Sequence, residues 1–231
     1  MKITALNTFK YNTNKTGFSK NEKAETISLQ QTAPVFKQEK NISFGAKKIS
    51  VKAIKKLIEA LNKENINFEL LQTGKSVTIV EFKDSKTIAK TTSFFADDIK
   101  KIINYKPDGS APHIAYQYKK ETLEKIIVFD VNGWKRQRNT FYPNGQRKSI
   151  TTYHGLASLP KTKKVYYENG KTLKSEITYQ VNCKYPKTIK EYNKNGNLSK
   201  ELVFNEEGEI ITSAFYNQEG KLVAFNDLSS Q

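Results

Sequence analysis

A short segment near the middle of the chain concentrates side chains that can hold an anion and stack on a planar ring. The protein has three arginines, Arg136, Arg138 and Arg147, and all of them lie close to its only tryptophan, Trp134. Arginine beside aromatic side chains on a sheet face can grip phosphates and stack bases. The period of two in a strand predicts one shared face for Trp134, Arg136, Arg138, Thr140 and Tyr142.

These residues belong to a basic band, residues 133–174, which holds ten basic residues and a single acidic one, Glu168. A concentrated positive field attracts phosphates, anionic lipid or an acidic protein. The alternative is structural, with Trp134 and Tyr142 filling a sheet face while the arginine stems cover it. The predicted binding residues are Trp134, Lys135, Arg136, Arg138, Tyr142, Arg147, Lys148, Lys163 and Lys164.

No group of residues in the sequence is suited to catalysis. His113 and His154 are far apart and have no evident carboxylate partner, and Cys183 falls at a position where other repeats have a turn. The phosphate-binding patterns GxxxxGK[ST] and GxGxxG are absent. One cysteine and two histidines exclude a zinc finger or ribbon. We therefore predict a non-enzymatic protein with no catalytic residue, no cofactor and no metal site.

Three segments are predicted along the chain. Residues 1–45 are expected to be a disordered leader, because they contain 17 Ser, Thr, Asn and Gln residues and no sustained periodicity. Residues 46–66 are expected to hold an amphipathic helix over 47–65, with Ser50 as its N-cap. Its apolar stripe comprises Val51, Ile54, Leu57, Ile58 and Leu61. We expect this stripe to pack on the following sheet, the alternative being an anionic membrane surface.

Residues 67–231 are expected to form a β-hairpin repeat domain with a period of about twelve residues, used roughly thirteen times. Successive glycines lie twelve residues apart at Gly196, Gly208 and Gly220, and again at Gly133 and Gly145. An aromatic residue stands four positions before most turns. These residues are Phe82, Phe94, Tyr105, Phe129, Phe141, Tyr153, Tyr166, Tyr179, Tyr192, Phe204 and Tyr216.

The spacing between the turns predicts strands of about eight residues joined by hairpins. Glycine accepts the positive φ that a type I turn with a G1 bulge requires. Such hairpins would pair an aromatic residue with an aliphatic one six positions later, as in Phe204 with Ile210. The same pairing is expected for Tyr192 with Leu198, Tyr216 with Leu222, and Phe82 with Ile88.

The predicted fold is mainly β: an elongated antiparallel meander, preceded by one helix. Lys135, Gln137 and Asn139 share the parity of Phe141, so one side of that strand is not strongly apolar. We therefore expect a sheet that is largely a single layer, without a thick core throughout.

The repeat is clearest as Tyr/Phe-Asn-x-x-Gly-x-Leu/Ile at residues 192–198, 204–210 and 216–222, with a tighter form at 141–146 and 166–171. This pattern resembles the variant MORN repeats of bacterial proteins labelled as antitoxin components, and it is similar to the YD-repeat hairpin arrays of large bacterial shell-forming proteins. The resemblance covers about residues 100–225, although a standard MORN unit has further glycines and a longer period. It implies a non-enzymatic scaffold or binding surface, and antitoxin components imply a toxin as partner.

The sequence thus predicts a repeat scaffold that binds a protein partner, acidic or toxin-like, through its basic aromatic band. The alternative is binding of single-stranded nucleic acid or an anionic surface by the Arg/Lys/Trp face. No run of about 18 apolar residues is present, so no transmembrane segment is expected. Met1-Lys2-Ile3 leads into no apolar region of a secretory signal, which predicts a cytoplasmic location. Unconventional export and the oligomeric state are left open.

Overall fold

The computed structural model describes residues 25–27, 43–44, 47–73, 76–155, 158–181 and 184–229. Most of the predicted leader, and the predicted turn positions Gly74, Ala157 and Cys183, lie outside these ranges. Within the leader, Glu25–Ile27 forms strand β1 and Ser43–Phe44 forms strand β2.

The other elements follow in chain order. They are β3 (Lys47–Lys48), α1 (Val51–Lys63), β4 (Phe68–Gln72), β5 (Ser76–Phe82), β6 (Ile88–Phe95), β7 (Ile99–Tyr105), β8 (Pro112–Lys119), β9 (Thr122–Phe129), β10 (Lys135–Phe141), β11 (Arg147–Tyr153), β12 (Pro160–Tyr166), β13 (Leu173–Tyr179), β14 (Pro186–Tyr192), β15 (Leu198–Phe204), β16 (Ile210–Tyr216) and β17 (Leu222–Asp227).

The strands form one long antiparallel meander. Fifteen of them join in a single sheet in the order β1, β4, β5 and then consecutively to β17, while β2 pairs with β3. From β4 to β17 each strand hydrogen-bonds to its neighbours in the sequence, which gives the thirteen links that the repeat period predicts. The predicted mainly-β meander is confirmed.

Glycines with positive φ turn the chain at the hairpin tips. At Gly145, for example, φ is +80°, its N–H donates to the Tyr142 carbonyl at 2.9 Å, and the Tyr142 N–H donates to the Gln146 carbonyl at 2.8 Å. Where glycine is missing, Asp97 and Asp98 both have positive φ, and so do Lys120 and Glu121. A two-residue type I′ turn requires this conformation at both central positions.

The asparagine of the repeat motif closes the same turns through its side chain. Asn193 Oδ1 accepts from the backbone N–H of Asn195 and of Asn197, each at 3.0 Å. Asn217 Oδ1 accepts in the same way from Glu219 at 3.0 Å and Lys221 at 2.9 Å. An Asx turn of this kind satisfies backbone donors that the bend leaves unpaired, which is why Asn follows the aromatic residue.

The strand register matches the predicted pairs. Phe204 lies opposite Ile210, Tyr192 opposite Leu198, Tyr216 opposite Leu222, and Phe82 opposite Ile88. The register shifts at each of these positions, so that two residues oppose the aromatic one.

Helix α1 covers the first strands of the sheet. Ser50 Oγ accepts from the Ala53 N–H at 3.4 Å, which confirms the N-cap. The helix begins at Val51, not at residue 47, because Lys47–Lys48 pairs with β2 as a strand. One core cluster joins the helix to β5 and β6, and it comprises Ile49, Ile54, Ile58, Leu61, Val77, Ile79 and Phe94.

The remainder of the sheet is a single layer. Among the described residues after β6, those that are buried are all small: Ala111, Ala115, Ser149, Thr151, Ser213 and Ala214. The larger side chains lie half-buried against their cross-strand neighbours on both faces. Each strand is therefore held mainly by its two neighbours, and the prediction of a largely single-layer sheet is confirmed.

Candidate binding surfaces

The register separates the two faces of the sheet. We call the face that packs against α1 the helix face. One row on it runs from strand to strand through Ile79, Thr92, Ile102, Tyr116, Ile126, Asn139, Ile150, Lys164, Glu176, Lys190 and Glu201. Its charged residues alternate in sign across β12 to β15. Lys164 Nζ lies 3.2 Å from Glu176 Oε1, and Lys190 Nζ lies 3.1 Å from Glu201 Oε1.

The ion pair between Lys190 and Glu201 predicts a raised pKa for Lys190. A hydrogen bond and the negative charge of Glu201 raise the pKa of Lys190 above 10.5. Since the raised pKa favours the charged form in the folded state, the stabilisation is complete below pH 10.5 and is lost as the pH rises through the pKa of the folded protein. Lys190 is more than one-third exposed, so solvent screening limits the stabilisation to below about 1 kcal/mol. NMR titration of Glu201→Gln should return the pKa of Lys190 toward 10.5; an unchanged pKa would contradict the assignment.

The opposite face, which we call the basic face, carries a cluster of four cations on β7 to β12. One row holds Lys101, Gln117 and Lys125 side by side on β7, β8 and β9. The next row places Thr151 of β11 between Arg138 of β10 and Lys163 of β12. Within the described part of the chain, the ion pairs involve none of these four cations.

Burial and repulsion between like charges disfavour the charged form of Lys101 in this cluster. Burial is the main cause that lowers the pKa of Lys101, and the charges of Lys125 and Lys135 lower it further. Arg138 Nε and Thr151 Oγ1 are both buried, and neither has a hydrogen-bond partner among the described protein atoms. Lys125 Nζ donates to Gln117 Oε1 at 3.4 Å, and Gln117 Nε2 donates to Glu124 Oε2 at 3.2 Å. Among the described residues, Arg138 and Thr151 are therefore the buried donors of this cluster that the protein leaves unpaired.

A row of aromatic side chains borders the basic face. Phe129, Tyr153 and Tyr179 end β9, β11 and β13, each two residues beyond a basic-face position in the same strand. Alternate strands place neighbouring rings about 10 Å apart. The guanidinium carbon of Arg138 lies 6.0 Å from the centre of the Tyr153 ring, a cation–π distance.

The predicted common face of Trp134, Arg136, Arg138, Thr140 and Tyr142 is confirmed only for Arg138 and Thr140, which both lie on the basic face. Trp134 precedes β10 and Tyr142 follows it, and Arg136, an extra residue in the register, interrupts the period of two at the start of the strand. Arg138 lies opposite Thr151 on the basic face. Tyr142 instead contacts Lys148, whose Nζ lies 5.6 Å from the centre of the Tyr142 ring. The Tyr142 hydroxyl donates to the Tyr166 carbonyl at 2.7 Å.

The residues of the basic band are likewise divided between the two faces of the sheet and the strand ends. Lys163 lies opposite Thr151 on the basic face, whereas Lys164 pairs with Glu176 on the helix face. Arg147 and Lys148 begin β11 beside Phe141. Lys135 and Arg136 begin β10, where the register shift sets both opposite Phe129.

A cleft lies at the hairpin tips beside Arg136. Its volume is about 570 Å³, and we call it the tip cleft, lined by Lys106, His113, Val128, Phe129, Asp130, Val131, Arg136 and Gly155. Asp130 Oδ1 holds the β9–β10 tip by accepting from the N–H of Asn132 at 2.8 Å and of Trp134 at 2.9 Å.

Large apolar side chains stand exposed on the two hairpin tips beside the tip cleft, and Val131 among them also lines it. Val131 is 79% exposed, Trp134 42% and Leu159 40%. The β9–β10 and β11–β12 tips that carry them are in contact, because the Lys135 N–H donates to Ser158 Oγ at 2.8 Å. Val181, 87% exposed, stands on the next tip at the same end of the sheet.

Sequence reasoning missed several of these residues. Lys101 and Lys125 lie outside the basic band, and Val131 and Leu159 are single apolar residues beside turns. The predicted turn positions fix which residues of neighbouring strands lie opposite each other. Applying that pairing from β7 to β9 would have placed Lys101 and Lys125 in one row.

The described residues contain no group of three or more His, Cys, Asp and Glu side chains able to hold a metal ion. None of the helices that the structure describes has the length and apolarity needed to cross a membrane.

Comparison with known proteins assigns no family. No family model matches the chain, and no curated protein matches it. Among solved structures, the chain is similar to a variant of S. aureus TarM in complex with fondaparinux, alpha-GlcNAc-glycerol and UDP, at 12% identity over 54% of this chain and 24% of that chain, with a TM-score of 0.35. A crystal structure of TarM matches at 11% identity over 52% of this chain and 23% of that chain, with a TM-score of 0.34. The matches thus span about a quarter of the TarM chains.

Proposed function

We propose that the protein is a non-enzymatic repeat scaffold that binds an acidic protein partner at the tip cleft. The observation that carries this proposal is the row of exposed apolar side chains on adjoining hairpin tips, Val131, Trp134 and Leu159, beside Arg136. Large apolar side chains exposed together on two tips in contact are typical of an interaction site.

The tip cleft, with Trp134 on the tip beside it, has a composition that suits a protein partner. Tryptophan and arginine are the side chains most enriched at the energetic centres of protein interfaces. Arg136 and Lys106 add positive charge to the lining, and Asp130 already uses one carboxylate oxygen for its own turn. A partner segment that offers both an apolar side chain and a carboxylate would match both features. The resemblance to antitoxin components makes a toxin the partner to test first.

Affinity capture on the immobilised chain tests the proposal, with the product of a neighbouring toxin-like gene, or otherwise cell extract, as the probe. We expect one acidic protein to bind, with little dependence on salt and no effect of nuclease treatment. Val131→Ser with Trp134→Ser should lower the captured amount at least about tenfold, as expected for removal of central interface side chains.

The matched control removes exposed apolar side chains elsewhere on the sheet. Leu222 and Val223 on β17 are 56% and 62% exposed, and Leu222→Ser with Val223→Ser should leave capture unchanged. Equal losses in both double variants, or release of the captured protein by nuclease, would contradict binding at the tip cleft.

A further inference from the structure

We propose that the basic face binds single-stranded nucleic acid, at a site distinct from the tip cleft. The proposal is independent of the protein partner. It rests on the separation of charge between the two sides of one sheet. On the helix face Lys90, Lys164 and Lys190 pair with Glu81, Glu176 and Glu201. On the basic face the four clustered cations, Lys101, Lys125, Arg138 and Lys163, form no ion pair within the described part of the chain. Of the two carboxylates nearest to them, Glu124 accepts from Gln117 and Glu191 lies opposite Lys200.

The cations are spaced to follow a polyanion. Arg138 and Lys163 lie two strands apart with Thr151 between them, and Lys101 and Lys125 lie two strands apart with Gln117 between them. Two strand spacings are about 10 Å. Lys125 and Arg138 sit diagonally on adjacent strands, which corresponds to about 7–8 Å between their backbones. A backbone with one phosphate per nucleotide can therefore meet several of these cations in succession.

The centre of the basic face also lacks an acceptor. Arg138 Nε and Thr151 Oγ1 are buried donors without a partner among the described protein atoms, and Thr151 is 2% exposed. Buried polar groups in proteins are almost always hydrogen-bonded. Both atoms have almost no accessible surface, so a phosphate oxygen can accept from them only after the Arg138 side chain rotates outward. The phosphate charge also relieves the mutual repulsion of Lys101, Lys125 and Lys135.

The aromatic row distinguishes nucleic acid from other anionic polymers. Phe129, Tyr153 and Tyr179 border the cations, and Arg138 already lies over the Tyr153 ring. Unpaired bases stack on such rings without sequence preference, in combination with a positively charged surface that follows the backbone. Sulfated polysaccharides and polyphosphate have no planar base to stack. Duplex DNA keeps its bases stacked inside the helix, so the aromatic row favours a single strand.

Fluorescence anisotropy with a labelled oligothymidylate of about 20 nucleotides tests the proposal on the whole chain. We expect binding at about 50 mM NaCl that weakens steeply toward about 300 mM. Arg138→Gln with Lys163→Gln should lower affinity at least about tenfold and reduce the salt slope by about 1.4, since two phosphate contacts are removed from a single strand. Tyr153→Leu should lower oligothymidylate affinity about tenfold and leave heparin affinity unchanged.

The control removes the same charge from the helix face. Lys164 and Lys190 lie on the helix face, paired with Glu176 and Glu201, and Lys164→Gln with Lys190→Gln should change affinity less than about threefold. Circular dichroism checks that each variant is folded. Lys101→Gln with Lys125→Gln replaces the Arg138 and Lys163 variant if that one does not fold.

Three outcomes would overturn the proposal. The first is no oligothymidylate binding at low salt, and the second is an equal loss of affinity in the helix-face control. The third is a Tyr153→Leu variant that changes oligothymidylate and heparin affinity alike, which would make the chain a binder of polyanions in general. The Val131→Ser and Trp134→Ser variant should retain oligothymidylate binding, so failure at the tip cleft is distinguishable from failure on the basic face.

Discussion

Replacing Ile79 with alanine should lower the free energy of unfolding by about 3–4 kcal/mol, within the range for buried aliphatic residues cut to alanine. Ile79 has no exposed surface and lies in the cluster that joins α1 to the sheet. The substitution removes three carbons and leaves a cavity between two layers that cannot fully close. Urea unfolding followed by circular dichroism measures the change, and hydrogen exchange of the β5 amides locates it.

The matched control is the same substitution in the single-layer part of the sheet. Ile177 is half-buried and lies opposite Ile189 and Lys163. Ile177→Ala should cost only about 1 kcal/mol, because roughly half of the deleted surface already contacts water and no enclosed cavity forms. Equal costs for Ile79→Ala and Ile177→Ala would contradict the confinement of the core to the helix-covered end.

The strand order and register were predictable from the sequence because the repeat encodes them locally. A turn residue every twelve positions places each strand beside its chain neighbour, and the aromatic residue before the turn sets the pairing, as in Phe204 with Ile210. Each hairpin is specified by about twelve residues, so no long-range information is needed. The start of α1 was misjudged because Lys47–Lys48 continues the helical charge pattern but pairs with Ser43–Phe44.

The candidate binding surfaces were less predictable, because counting charge along the chain ignores which side of the sheet each residue takes. Lys163 and Lys164 are adjacent in sequence but lie on opposite faces, and only Lys164 has a carboxylate partner. Lys101 and Lys125 are distant in sequence but lie in one row. The period of two failed at the start of β10, where the extra residue Arg136 changes the side that the next residue faces.

Replacing Gly208 with alanine should destabilise the protein by about 2–4 kcal/mol, the combined effect of a positive φ and a steric clash. Its φ is +90°, and an added Cβ would lie 2.6 Å from Cδ1 of the Tyr185 ring. Tyr185 stands at the β13–β14 tip, whose Gln180 side chain donates to the carbonyls of Phe204 and Asn205. The β13–β14 and β15–β16 tips thus pack directly on each other. The cost should appear as lower thermal stability and faster hydrogen exchange in β14 to β16.

Gly196 provides the matched control, because its φ is +89° and an added Cβ would meet no atom within 4 Å. Gly196→Ala should therefore cost only the backbone strain, about 1–2 kcal/mol. The excess cost at Gly208 should largely disappear when Gly208→Ala is combined with Tyr185→Ala, since the clashing ring is then absent. If Gly208→Ala and Gly196→Ala cost the same, contact between hairpin tips does not determine the glycine at this position. Stability would then depend on pairing between adjacent strands alone.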